Sequence, residues 1–380
     1  MEWYFIEPSD VWFFRDARPF NQGGNMTPGL FPPFPTTLAG AFRSYLLARS
    51  NVDFADFDSL KPSPEAVKLQ GVIGSSTSIG KFKLCGPFLA RQDWQRSQTL
   101  IYVPLPNDVF QYKNQQQPPF RAYRPNHEAP KAANWDTAEQ LHPLMPPRGE
   151  RQDEPGMRGW LNENALKRYL SDQQDFTAEP PPYTEDLRLG IGMDHQRRKP
   201  KDSMLYTASY SALASNTANR YGLAVQVNGD EIDLPEQGVL SLGGESRAAH
   251  FQKFDPHPTP AFHVTQDTQH IKLVLLTPAW FDRGWQPKVG WSKLLNDLPV
   301  ELVSASLGRP VYFGGWDLAR GWHKPMVACL PAGSVFFFEF TEKINTSDLA
   351  QFVFTESPPG QYFKELGFGS VAVGVWNWEP

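Results

Sequence analysis

Four stretches of this sequence carry side chains able to hold a polyanion. The turn Arg15-Asp16-Ala17-Arg18-Pro19-Phe20 follows an apolar run and offers two guanidinium groups. Their planar forks suit phosphate oxygens and stack on bases. Asp16 stands between them, so an Arg–Asp pair that closes the turn is the competing reading. The segment 194–202, DHQRRKPKD, gathers Arg197, Arg198, Lys199 and Lys201 between two strand-like runs, with Asp194 and Asp202 at its ends. Such a cluster on a hairpin can follow a nucleic-acid backbone; a solvated loop is the alternative. In 308–326, GRPVYFGGWDLARGWHKPM, the basic residues Arg309, Arg320, His323 and Lys324 lie among Tyr312, Phe313, Trp316 and Trp322. That mixture suits unstacked bases and equally a Trp-rich protein interface. Near the end, ELGFGSVAVGVW sets Gly367, Gly369 and Gly374 in a G-x-G-x4-G pattern. Glycine tolerates positive φ and lets another backbone come close. The loop precedes a strand rather than a helix, so it is no dinucleotide fingerprint. A tight turn before a last strand is the plain alternative.

Acid–base and nucleophilic chemistry finds little to work with. The eight histidines are scattered, and His257 and His263 belong to no metal-ligand spacing. His250, in GGESRAAHF, has Glu245 nearby, a pair that more often makes a structural hydrogen bond. No G-x-S-x-G elbow and no G-x4-G-K-[ST] phosphate loop occurs. Metal-independent RNA cleavage needs a positioned acid/base group, for which His195, His250 and His323 are the available residues. No metal and no cofactor is expected.

The elements that must carry these residues read as a mixture of strands and sparse helices. Strands are expected at 2–6, 81–90, 99–103, 186–192, 204–210, 220–227, 270–280, 335–340 and 371–376 from their alternating or continuous apolar runs. An amphipathic helix is expected over 37–49, with Leu38, Phe42, Tyr45 and Leu46 at helical spacing. Thr36 or Thr37 would cap it behind Pro35. A second helix fits 160–170, and a short one 347–353. Asn228-Gly229-Asp230 reads as a domain seam or a hairpin tip. From Pro104 to Gly159 the chain is rich in Pro, Gln and Asn with little periodicity, and it reads as a surface insertion.

Bulk properties set limits. At 380 residues the chain has room for two domains. Its 27 Phe and 12 Trp exceed what cores hold comfortably, so some aromatics belong to interfaces. A net charge of −5 confines any RNA site to a local basic face and leaves other surfaces for proteins. Cys85 and Cys329 are read as buried thiols, too few and too far apart for a disulfide framework or a four-Cys zinc site. No secretory leader and no membrane-spanning apolar run is apparent, which makes the cytoplasm the expected location.

Several motifs in order suggest a known family. FFRDARPF, LFPPFPTTLAGAFRS, GWLNENALKRYL, LRLGIGMDHQRRKPKDSMLYT, LGGESRAAHF, GRPVYFGGWDLARGWHKPM and ELGFGSVAVGVW run through most of residues 4–376. The chain resembles the third-subunit family of the Cmr complex, the type III-B CRISPR effector, within the RAMP superfamily. The resemblance implies an α+β fold of two tandem ferredoxin-like (RRM-related) domains, 1–218 with the insertion at about 104–159, and 219–380 with the glycine-rich loop. It implies a non-catalytic subunit that holds the repeat-derived 5′ tag of the crRNA. It also implies contact with the large polymerase-like subunit and with the neighbouring backbone subunit. The residues expected to bind RNA are Arg15, Arg18, Arg43, Arg197, Arg198, Lys199, Arg320, Lys324, Gly367 and Gly369. The alternatives are an endoribonuclease that processes repeat RNA and a purely structural adaptor.

Overall fold

The structure is a computed structural model that describes residues 1–15, 29–75, 78–93, 98–111, 120–128, 141–146, 159–194, 197–228, 232–256, 260–317, 322–350 and 352–378. It is a mixed α/β chain with few helices and sheets built mainly from antiparallel pairs. It divides into two compact units. The first comprises 1–99, 182–255 and 312–328, and the second 100–181, 256–311 and 329–380. The chain therefore passes between units instead of completing one before starting the other. The expected seam at 218/219 falls inside the first unit, because the strand that follows it, Asn219–Val227, is bonded on both sides within that unit.

In the first unit, five strands lie in the order Gln237–Ser241, Ala248–Phe254, Glu2–Pro8, Asn219–Val227 and Leu84–Asp93. Every neighbouring pair is antiparallel. The helix Pro35–Arg49 covers one face of this sheet. Its buried residues Leu38, Ala39, Ala41, Phe42 and Leu46 fall on one side, and the Phe42 ring meets those of Tyr4 at 6.1 Å and Phe251 at 5.7 Å. The helix starts two residues earlier than expected. Pro35 occupies its first turn with Phe34 as N-cap, and no side chain caps it. A proline φ already fits the first helical position, so Thr36 and Thr37 sit inside the turn, where their hydroxyls no longer act as caps. Asn228, expected at a seam, instead clasps the strand ahead of it. Its amide donates to the Lys81 carbonyl at 2.6 Å and accepts from the Lys83 N–H at 2.6 Å. Gly229 and Asp230 lie outside the described residues.

In the second unit, four antiparallel strands lie in the order Val300–Ser306, Val335–Asn345, Asp267–Leu275 and Val371–Val375. Alternation sorts their side chains onto two faces. Ile271, Leu273, Leu275, Phe336, Phe338, Phe340, Val371 and Val373 share one core with Trp291 and Phe354. The opposite face carries Lys272, Phe337 and Gly374 side by side. The helix Glu163–Leu170, capped by the Asn162 side chain on the Ala165 N–H at 3.0 Å, approaches this face closely. A Cβ on Gly374 would lie 2.6 Å from the Leu170 carbonyl oxygen. The third glycine of the C-terminal pattern thus serves helix–sheet packing.

The stretch 104–159 is more than a surface insertion. Its described parts form two short pairs, Val109–Gln111 with Phe120–Ala122 and Arg124–Pro125 with Leu144–Met145. They bury Asp108, Val109, Phe110, Phe120, Ala122 and Leu141. They belong to the second unit, not the first. Residues 112–119, 129–140 and 147–158 lie outside the described set. Cys329 is buried, which pushes its thiol pKa up to about 12, whereas Cys85 is only half-buried. Among the described residues no helix is long and apolar enough to cross a membrane.

Candidate nucleic-acid interface

The most distinctive element of the first unit is a long two-stranded ribbon, Tyr183–Asp194 with Lys199–Leu213. Beyond a bridge from Trp12 to Ser211, no further strand joins it among the described residues. Its base is anchored on one side. The Tyr210 ring packs at a tilt against Phe13, 4.8 Å between centroids, and its hydroxyl donates to Glu245 at 2.9 Å. The guanidinium groups of Arg188 and Arg247 lie 4.9 Å and 4.6 Å from the centre of the same ring. The Tyr210 hydroxyl and then Arg247 hold the Glu245 carboxyl below its ordinary pKa.

The other side of the ribbon is open. Leu187, Leu189, Ile191 and Met193 alternate along the first strand and are exposed by 53%, 74%, 51% and 38%. Exposed aliphatic side chains in a row are unusual on a finished surface. At the ribbon's end, Arg197, Arg198 and Lys199 are exposed. Arg198 adopts a left-handed conformation with φ of 52°, and the backbone N–H of Arg197 is held by the Asp194 carboxylate at 3.1 Å. Among the described residues no side-chain hydrogen bond or ion pair engages these three cations.

The remaining expected residues divide. Arg15 is exposed and bridges backbone with Gly29. Lys324 is exposed beside Trp322, itself 63% exposed, whose ring lies 4.6 Å from that of His323. Tyr312 is also open, 51% exposed. Arg43 turns inward. Its guanidinium donates to the Ile79 carbonyl at 3.0 Å and lies over the Phe82 ring at 5.4 Å. Burial lowers its pKa to about 10, so this cation is committed to packing. Arg18, Arg320 and His195 lie outside the described residues.

In the second unit, Gly367 and Gly369 are buried at φ of 92° and 68°. The close approach that their lack of a side chain permits is to the chain itself. A Cβ on Gly369 would lie 2.7 Å from the Phe354 carbonyl carbon and oxygen. Thr277 Oγ1 donates to the Gly367 carbonyl at 2.7 Å and accepts from the Ser370 N–H at 2.9 Å. This is a tight turn delivering the last strand, and its glycines present no exposed surface.

The sequence profile of the CRISPR-associated protein family Cas_Cmr3 matches residues 4–376. The chain belongs to the CRISPR-associated Cmr3 family. No curated protein matches it. Similar solved structures include a cryo-EM structure of the type III-B Cmr-beta bound to cognate target RNA, with 16% identity, a TM-score of 0.49, and 88% of this chain and 86% of that chain covered. Another is Cmr-beta bound to cognate target RNA and AMPPnP, at 15% identity and a TM-score of 0.45 with the same coverage.

Two features of this Cmr3-family chain escape its sequence. The first is a buried polar network in the second unit. Tyr169, fully buried, donates to both carboxylate oxygens of Asp108, at 2.8 and 2.9 Å. The Lys272 ammonium lies 3.8 Å from the centre of the Tyr169 ring. Arg124 pairs with Asp172 at 2.9 Å, and Asn377 donates to the same carboxylate at 2.8 Å. Burial raises the Asp108 pKa to about 6 against the pull of Lys272 and the Tyr169 hydroxyl. Burial lowers that of Lys272, opposed by Asp172 and Asp108. The second is the pairing of Glu245, which goes to Tyr210 and Arg247. His250 is left exposed, opposite Glu7 in the strand register.

Proposed function

We propose that this Cmr3-family chain is a non-catalytic, guide-RNA-binding subunit of a type III-B CRISPR effector complex in the cytoplasm, holding the repeat-derived 5′ tag of the crRNA and docking the large polymerase-like subunit and the neighbouring backbone subunit. The ribbon carries the reading. It joins three exposed cations at one end, without partners among the described residues, to an uncovered aliphatic face. Cations without partners suit phosphates, and a row of exposed aliphatics suits a protein surface. Arg15 and Lys324 with Trp322 add exposed cationic and stacking groups. Both sheets also support two ferredoxin-like halves. Numbered in chain order, the four strands of the second sheet lie side by side as fourth, first, third and second, and those of the first do so once the extra edge strand Gln237–Ser241 is set aside, each with a helix between its first two strands, as in the β-α-β-β-α-β motif.

The test is binding of RNA by the chain assembled with its partner subunits. Tag-bearing RNA should bind more tightly than the same RNA without the tag, and the affinity should fall with salt. Equal affinity for the two RNAs, or none for either, would remove the tag-holding role. Incubating the chain with repeat RNA without metal should release no discrete product. A product that disappears in His250→Ala or His323→Ala would replace the scaffold reading with a nuclease.

The docking half has its own measurement. Threonine keeps a strand's backbone preference while removing apolar surface. The pair Leu189→Thr and Ile191→Thr should therefore leave the melting temperature of the chain within about 2 °C, since both side chains are exposed. It should reduce co-purification with the partner subunits at least severalfold. Unchanged assembly would mean that this face meets no partner.

A further inference from the structure

A groove of about 560 Å³ opens on the second unit, beside the turn that Gly367 and Gly369 create. Its walls bring together Lys293, Asn296, Phe352, Gln361, Tyr362 and Lys364. The size lies within the range of small-ligand sites. Two walls come from the short helix Trp291–Leu294 and from the segment leading into the glycine turn. Phe363 and Phe368, stacked at 4.0 Å between centroids and both buried, fix the second wall from below. With Phe363 inside, its neighbours Tyr362 and Lys364 line the opening.

Formal charge in the groove balances, Lys293 and Lys364 against Glu356 and Glu365, but one of the two acids is already engaged. Glu356 is held by backbone donors, with Asp282 N–H at 2.9 Å and Lys288 N–H at 3.0 Å on its two oxygens. Lys293 and Lys364 are exposed and have no hydrogen bond or ion pair among the described residues. Glu365 at the rim is the remaining acid. The groove thus offers two ammonium groups for phosphate, two aromatic side chains for a base and two amides for base edges. That is the set single-stranded nucleic acid uses: cations along the backbone and rings under the bases.

We propose that this groove holds a nucleotide of single-stranded RNA, with Lys293 and Lys364 on the phosphates and Tyr362 against the base. This rests on the RNA-binding reading above and adds a site to it. The glycine turn's part is to hold Tyr362 and Lys364 at the groove, its own backbone being covered.

The test uses the chain assembled with its partners and tag-bearing RNA substituted with 4-thiouridine. Photo-crosslinks should map to peptides containing residues 361–365. The pair Lys293→Ala and Lys364→Ala should abolish those crosslinks and lower the log–log salt slope of binding by roughly 1 to 1.5, the value for two phosphate contacts on a single strand. Its melting temperature should match that of the wild type. If the variant binds RNA with the wild-type slope and crosslinks appear only elsewhere, the groove is not an RNA site, while the RNA-binding reading stands. If the variant instead loses a partner subunit with RNA binding intact, the groove is a protein contact and the proposal falls. If the wild-type assembly binds no RNA, both readings fall together.

Discussion

Neutralising the ribbon's end should weaken RNA binding by about 100-fold at 0.1 M salt. The three cations Arg197, Arg198 and Lys199 are exposed, and among the described residues no side chain pairs with them, so their removal leaves no buried partner there behind. Arg197→Gln, Arg198→Asn and Lys199→Gln are suitable replacements, because Asn tolerates the left-handed backbone at position 198. Each phosphate contact on a single strand contributes roughly 0.7 to the log–log salt slope. Three contacts give a slope change of about 2, which between 1 M and 0.1 M salt amounts to about two decades of affinity. Titrating RNA onto the assembled complex at several salt concentrations separates this from an unfolding effect. A true phosphate contact vanishes at high salt; a damaged fold does not. An unchanged slope would place the RNA elsewhere.

Removing the Asp108 carboxylate should destabilise the chain by about 1–3 kcal/mol, the range for leaving a buried hydrogen-bonding group without its partner. Asp108→Ala leaves the Tyr169 hydroxyl without its acceptor and Lys272 with one fewer neighbouring carboxylate, all inside the second unit. Denaturant unfolding measures it, and a loss below about 1 kcal/mol would mean that the site collapses without strain. The pH dependence has a definite sign. An Asp108 pKa raised in the folded state from 3.8 to about 6 makes the native chain the tighter proton binder. The group's contribution therefore favours folding fully below pH 3.8 and is lost as pH rises through 6. Against Asp108→Asn, which cannot titrate, the wild type should gain about 2.4 kcal/mol between pH 7 and pH 4. Other carboxylates titrate alike in both proteins and cancel. A constant gap across that range would show that Asp108 stays ionised when buried.

How far the sequence discloses this molecule depends on what each signal needs. The ribbon was legible because alternating Leu187, Leu189, Ile191 and Met193 and a run of basic residues are local signals. So were the core strands: the apolar runs expected at 270–280 and 335–340 are buried from Ile271 to Leu276 and from Val335 to Phe338. The inward turn of Arg43 was not, since the basic residue at the end of LAGAFR reads as solvent-facing until Phe82 and the Ile79 carbonyl arrive from outside the helix. The role of 104–159 was hidden for a similar reason. Asp108 gains meaning only from Tyr169 and Lys272, 61 and 164 positions downstream. Gly374 carried a faint cue, being a glycine inside an otherwise apolar strand, which often marks a close neighbour. The groove at Lys293 and Lys364 joins two segments about 70 positions apart, each unremarked by itself.

The interleaving of the two units bears on how the chain comes off the ribosome. Strand Asn219–Val227 pairs with both Glu2–Pro8 and Leu84–Asp93, so the first sheet lacks its middle until residue 227 has been synthesised. Residues 100–181 emerge earlier but belong with strands that begin only at Asp267. A nascent chain therefore carries unfinished edges from both units at once, in a topology whose distant pairings close slowly. A break near residue 218 would separate no folded halves. It would divide the first sheet, which could re-form only when the piece carrying Asn219–Val227 meets the piece carrying Glu2–Pro8 and Leu84–Asp93.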